Sequence, residues 1–205
     1  MRTALQVAQA MPLPAYARAA LDYERHPQQR TLAFHEFYNA PIRTNSEPLD
    51  RQFSHMDNAR VAFRASFILS EVAEMFKKGL GIELRVSLAA GDNAGQEFSS
   101  DEYVGDDDAL CREIKEMLDF SVPARDLVEV VDALGDLNVV VNGFAIELGV
   151  DMFSVDREVC ASNFTKADPN GNPIVGDGIT APLGKVLKGP CFVEPQLAIT
   201  LGLED

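Results

Sequence analysis

Three cysteines, Cys111, Cys160 and Cys191, are the whole thiol complement of the chain. They are odd in number and widely spaced, and none forms a CxxC pair, which argues against a disulfide frame or a thiolate zinc site and fits reduced thiols. Runs of Lys and Arg are also missing. The 18 basic residues face 32 acidic ones, for a formal charge of -14. That charge repels a phosphate backbone, so duplex nucleic acid is not an expected partner. A small anionic nucleotide is still admissible where a divalent cation screens its phosphates. Long apolar runs are absent too: the stretch around Val139 to Val141 is broken by Asn138 and Asn142, well short of the roughly 18 residues that read as a membrane span. Met1 to Ala10 carries only Arg2 and soon meets Pro12 and Pro14, a poor secretory signal. The expectation is a soluble, cytoplasmic protein with no membrane partner.

What is present suffices for one core. At 205 residues and 46% apolar content, one domain with tails or an insertion is expected. The pattern divides into an N-terminal extension over 1–29, a helical domain over 30–167 with an insert at about 82–106, and a C-terminal tail over 168–205. The extension holds two short helical stretches around Pro12-Leu13-Pro14, with too few apolar anchors to show how they dock; an oligomer contact is one use for it. Leu32, Phe34, Phe37 and Tyr38 predict a short helix within 30–38. From Asp57 to Lys78, the residues Val61, Phe63, Phe67, Ile68, Val72, Met75 and Phe76 recur at helical steps, and Gly79 and Gly81 end the run. Ile82, Leu84, Val86 and Leu88 then alternate with polar residues, which predicts a short β-hairpin insert. Gly91 to Asp108 reads as loop and Ala109 to Leu118 as a short helix. Ala124 to Leu148 is apolar nearly all round and is followed by Gly149, which predicts a central helix with a glycine cap. Met152 to Lys166 predicts another helix, joined through only Val150 and Asp151 and so expected to pack antiparallel to it. The Gly- and Pro-rich tail is too long for an idle connection and is expected to wrap the body or a substrate. The fold class expected is all-α, a bundle of four or five core helices with the hairpin insert and the irregular tail.

Two helices carry grouped carboxylates. Glu71 and Glu74 lie three residues apart, about 60° around the helix, so both can reach one ion. Glu129, Asp132 and Asp136 follow at steps of three and four on one face of the next long helix. Acidic residues at helical spacing most often form a solvated face. Here the stripe interrupts an otherwise apolar helix, and no Lys or Arg follows at i+3 or i+4 to neutralise it. Such acids repel one another unless a cation joins them. Hard oxygen donors select Mg2+, with Mn2+ as a substitute, over Zn2+.

These residues carry a family resemblance. The run from Arg64 to Glu74, with its ExxE pair Glu71/Glu74, resembles the first acidic helix of the MazG and phosphoribosyl-ATP pyrophosphohydrolase superfamily, where Ser70 stands in place of a further Glu. The run from Glu129 to Gly143 is similar to the second acidic helix, in a D-A-L-x-D variant. Glu158-Val-Cys-Ala-Ser-Asn163-Phe-Thr-Lys166 and Gly184-Lys185-Val-Leu-Lys188-Gly189-Pro190 resemble the EVxxSNxxK and GKxxKGP segments of phage-type members. Phe34 to Phe37, with Pro41 and Pro48, looks like the opening FHxxF segment. The resemblance thus spans roughly residues 30–197, in order, with a longer gap than usual between Glu74 and Glu129.

The resemblance implies a MazG-like bundle with a metal site at Glu71, Glu74, Asp132 and Asp136. Glu129 is a third candidate for the two places on the second helix. Glu71 and Glu74 would also serve catalysis. Asn163, Lys166, Lys185 and Lys188 form a small basic set in an acidic half of the chain, suited to binding phosphate. Arg64 lies about 20° around the helix from Glu71 and can reach a phosphate or pair with a carboxylate. Lys77 and Lys78 suit the helix end, and His35 fits a packed or surface role better than a catalytic one. The implied reaction is Mg2+-dependent hydrolysis of a (deoxy)nucleoside triphosphate to the monophosphate and pyrophosphate, with dGTP or GTP slightly preferred over dUTP or dCTP. A non-catalytic metal-binding helical oligomer is the alternative, and the phosphoribosyl-ATP reaction is disfavoured by the insertion and tail. A homodimer or homotetramer is expected, because the central helix is apolar enough to need a partner.

Overall fold

The computed structural model describes residues 2–42, 58–87, 95, 97–99, 112, 114–115, 127–179, 181 and 184–204. These are mostly helical and fall into two units, Met1–Thr44 with Asp132–Asp205, and Asn45–Val131. The loop expected at Gly91 to Asp108 and the helix expected at Ala109 to Leu118 lie largely outside the described residues; Arg112, Ile114 and Lys115 are helical.

In the first unit, helix α1 (Ala4–Ala10) begins at a capping box in which Thr3 and Gln6 exchange side-chain and backbone hydrogen bonds. Ala4 and Ala8, one turn apart, are fully buried and let α1 lie close along α6 (Met152–Phe164). After α2 (Ala15–Ala19), His26 caps α3 (Pro27–Phe37) by accepting the Gln28 N–H at 3.2 Å, with Pro27 in the first turn, where its missing N–H costs no bond. Phe37 meets Phe164 edge-on at 5.5 Å, and Phe34 and Tyr38 complete an aromatic cluster between α3 and α6. Arg30, almost fully buried, donates to the carbonyls of Ala20 and Tyr23 at 2.8 and 2.9 Å and pairs with Asp156 at 2.7 Å. Segment 4–21, whose docking its few large apolar residues did not reveal, supplies much of this core through Ala4, Ala8, Met11, Leu13, Ala17, Ala20 and Leu21.

The tail joins the same core. Glu158 on α6 is buried, and its carboxylate accepts the backbone N–H groups of Ala4, Leu5 and Gln196 at 2.7, 3.1 and 3.1 Å. One side chain therefore ties the first helix and the tail to α6, just before the short helix α7 (Leu197–Thr200). Ser162 and Thr165 add bonds to the Val193 backbone at 2.7 and 2.9 Å. Cys160 is buried beside them, and desolvation pushes its thiol up to about 12.

The second unit contains α4 (Asn58–Glu74), continued by a π-helical turn, Met75–Gly79. Its buried stripe is Ala62, Ser66, Ser70 and Ala73, whereas Ile68 and Met75, among the apolar set expected to pack, are exposed. The two serines tolerate burial because their hydroxyls donate to the carbonyls of Phe63 and Phe67 at 3.0 and 3.1 Å. Beyond the turn, β1 (Arg85–Ser87) pairs antiparallel with β2 (Glu97–Ser99), in the register Arg85↔Ser99.

Helix α5 (Leu127–Glu147) spans the boundary between the units. Of its residues only Ala145 is buried; Val128 and Ile146 are 74% and 77% exposed. Among the described residues α5 is thus an exposed helix, not the central one expected. Nor does α6 run antiparallel to it, since the two meet at a bend of 113°. Gly149, at φ +70, ends α5, and Asp151 starts α6 by accepting the Phe153 N–H, so the intervening residues turn sharply and too early for the helices to pack lengthwise. No single described helix is long and apolar enough to cross a membrane; the bent pair α5 and α6 passes by length and composition only.

Candidate functional site

Glu71 and Glu74 sit in the last turns of α4, Glu71 exposed and Glu74 partly so. Lys78, one turn on, forms an ion pair with Glu74. Arg64 is half-buried two turns before Glu71, and burial, with Arg60 nearby, lowers its affinity for its proton. Arg60 in turn lies over the Phe63 ring at 5.0 Å. Glu129, Asp132 and Asp136 are all exposed along one face of α5.

Each acidic pair is described within its own unit: Glu71 and Glu74 in the second, Asp132 and Asp136 in the first. Among the described residues no group of three or more His, Cys, Asp and Glu side chains is placed to hold a metal ion. What α4 and α5 offer are carboxylate pairs. Glu71, Asp132 and Asp136 are exposed oxygen donors, and Glu74 is engaged by Lys78.

The basic set is more fully assembled. Lys166 lies just beyond the end of α6, where the Gly189 N–H donates to its carbonyl at 3.0 Å. A Cβ at position 189 would stand 2.7 Å from the Lys166 carbonyl oxygen and 2.8 Å from that of Ala167, so glycine is what lets the tail come this close. The contact carries Lys188 to the Phe192 ring, its Nζ 4.3 Å from the centroid, and the Lys166 Nζ approaches the same ring at 6.0 Å. Lys188 also pairs with Glu194 at 3.1 Å, both side chains well exposed. Asn163, half-buried on α6, has its carbonyl taken by the Tyr38 hydroxyl at 2.8 Å. Lys185 precedes the Val175↔Val186 bridge, its carbonyl accepting the Gly176 N–H at 2.8 Å. Protein families, curated proteins and solved structures gave no match to this chain. The site therefore rests on its own residues.

The structure places Lys166 and Lys188 each near the Phe192 ring, and Asn163 on the last turn of α6. It adds Phe192 and Gly189 as the residues that organise them. Phe192 was the harder to foresee: a lone aromatic two residues after Pro190 has no periodic context, and its one local cue is its closeness to the Lys-Gly-Pro run.

Proposed function

We propose that the chain is a MazG-like, Mg2+-dependent nucleotide pyrophosphohydrolase that cleaves a (deoxy)nucleoside triphosphate to the monophosphate and pyrophosphate. The observation that carries this reading is the meeting of segments 158–166 and 184–190. They resemble separate motifs of one family, and they close on each other through Gly189 and Lys166. Glu71, Glu74, Asp132 and Asp136, with Glu129 as a further candidate, would hold the ion. When bound, Mg2+ supplies charge neutralisation at phosphate oxygens and a water of lowered pKa.

The side chains have separable tasks. A carboxylate of the Glu71/Glu74 pair orients the attacking water and accepts its proton. Lys166, Lys188 and Lys185 hold phosphate oxygens, with Asn163 and Arg64 at the flanks. Lys78 must release Glu74 for metal ligation, a small cost, because an exposed ion pair is worth about 0–1 kcal/mol. Purine triphosphates such as dGTP or GTP are the first substrates to try, with dUTP and dCTP next. The β1–β2 segment belongs to the proposed insert of the bundle, and the exposed apolar side chains of α5 support a homodimer or homotetramer. The test is pyrophosphate release across a nucleotide panel with Mg2+. Turnover of at least one nucleotide, abolished in Glu74→Gln, is expected; no turnover of any of them refutes the proposal.

A second reading is a non-catalytic metal-binding helical oligomer, for which the exposed apolar side chains of α5 speak. It predicts that Mg2+ raises the melting temperature and that a non-hydrolysable triphosphate adds nothing. A nucleotide-dependent increment rules it out.

A further inference from the structure

A cavity of about 190 Å3 opens where α1, α6 and α7 meet, lined by Leu5 of α1, Ser154, Arg157 and Glu158 of α6, and Ile199 and Thr200 of α7. At about 30 Å3 per water it has room for roughly six waters, or for one compact organic molecule. No residue of the proposed metal or phosphate set lines it. Its polar groups are unequally satisfied. Glu158 already accepts the N–H groups of Ala4, Leu5 and Gln196. Ser154 donates its hydroxyl to Asp151 at 2.7 Å and Thr200 to the Gln196 carbonyl at 3.0 Å, which leaves both oxygens as acceptors only. Arg157 is the exception. Among the described residues no hydrogen bond or ion pair engages its guanidinium, whose Nε is shut off from water. The group is instead held over the Tyr23 ring at 5.4 Å, while the neighbouring Asp156 serves Arg30. A guanidinium fixed by stacking, partly desolvated and not neutralised, receives an anion with little further ordering cost.

Three features select the kind of anion. One cation lines the cavity, and the Glu158 carboxylate stands in the same wall, so a single negative charge is favoured over two or three. Ser154 and Thr200 offer acceptor oxygens, which suit no second anionic group. The planar fork of Arg157 matches a carboxylate through two parallel hydrogen bonds, and Leu5 and Ile199 give a short hydrocarbon tail an apolar surface. We propose that this cavity is a binding site for a small aliphatic monocarboxylate, with Arg157 receiving the carboxylate and Leu5 and Ile199 enclosing the tail. Three elements line the cavity, so occupancy adds to the fastening that Glu158 provides and stabilises the docking of α1 and α7 on α6. The site stands apart from the proposed hydrolase reaction and holds or fails without it.

Amide NMR spectra of the full chain, titrated with sodium butyrate at constant ionic strength, test the site. Butyrate should shift the Leu5, Ser154 and Thr200 resonances in a saturable way and raise the melting temperature. Butyramide, of nearly the same shape but uncharged, should do neither. Arg157→Lys keeps the charge and loses the fork, and is expected to weaken binding about tenfold. Ile199→Phe fills the cavity with Arg157 left in place and should abolish binding, its amide spectrum showing that the fold is kept. The proposal is overturned by resonances that butyrate leaves unmoved, by butyramide binding as well as butyrate, or by Arg157→Lys binding as tightly as wild type. Inorganic phosphate that binds more tightly than butyrate at the same resonances also overturns it, because the site then prefers the higher charge. Each readout is independent of nucleotide turnover.

Discussion

Helices α5 and α6 are neighbours in sequence and opposites in environment. The first is rich in Val, Leu and Ile, yet stands almost entirely in solvent. The second mixes Asp, Arg, Glu, Ser and Asn with its apolar residues and is the most heavily covered element described, with α1, α3, α7 and the tail against it. Apolar content alone does not decide what a single chain buries. On α6 the polar residues are themselves the fastenings: Glu158, Ser162, Thr165 and Asp156 each engage a distant segment. On α5 most apolar side chains are exposed among the described residues, a surface of the kind that contacts between proteins cover.

The contrast can be broken most sharply at Glu158. Glu158→Ala strips three backbone N–H groups of their acceptor, two at the start of α1 and one in the tail, and is expected to lower stability by about 3 kcal/mol, read as a fall in urea midpoint. Gly189→Ala forces the tail away from the Lys166 and Ala167 carbonyls and should cost about 1–3 kcal/mol in the same titration. On α5, Val139→Lys changes a residue already 68% exposed. It should leave helicity by circular dichroism unchanged but lower the mass seen by light scattering, if a second copy covers this face. An unchanged mass would count against α5 as the oligomer contact.

The smallest effect belongs to the bend between the two helices. Asp151 accepts bonds from Ser154, Tyr23 and the Phe153 N–H, and these hold its carboxyl below the usual carboxylate range, the Ser154 bond foremost. A depressed folded-state pKa adds stability that is complete above the ordinary value and is lost as pH falls through the folded one. Asp151→Ala should therefore show a slightly lower Tm than wild type at pH 7, and the gap should close on strong acidification.

Local chemistry made much of the helical plan legible. Gly149 and Asp151 act within a turn of themselves, so the junction of α5 and α6 could be read from neighbouring residues alone, whereas α3 starts at Pro27, earlier than the expected helix at Arg30. The carboxylate pairs were legible for the same reason, since spacing fixes which side chains share a helix face. Long-range packing was not. Alanines at 4, 8 and 17 give no apolar signal, yet their small size is what admits α1 and α2 to the core, and nothing along the chain marks Arg30 as a buried residue. Along α4, Ala62, Ser66, Ser70 and Ala73 are buried where larger residues looked the better candidates. The meeting of the tail with the end of α6 depends on a close backbone approach at Gly189, which no pattern along the chain encodes.

Cys160 lies where α1, α3 and α6 meet, and its raised thiol pKa leaves almost no thiolate at neutral pH. The residue is consequently a built-in reporter. An alkylating reagent can modify it only in molecules whose N-terminal helices have swung away, so the labelling rate at that position counts openings of this core, and Glu158→Ala should quicken it before any loss of helix is visible.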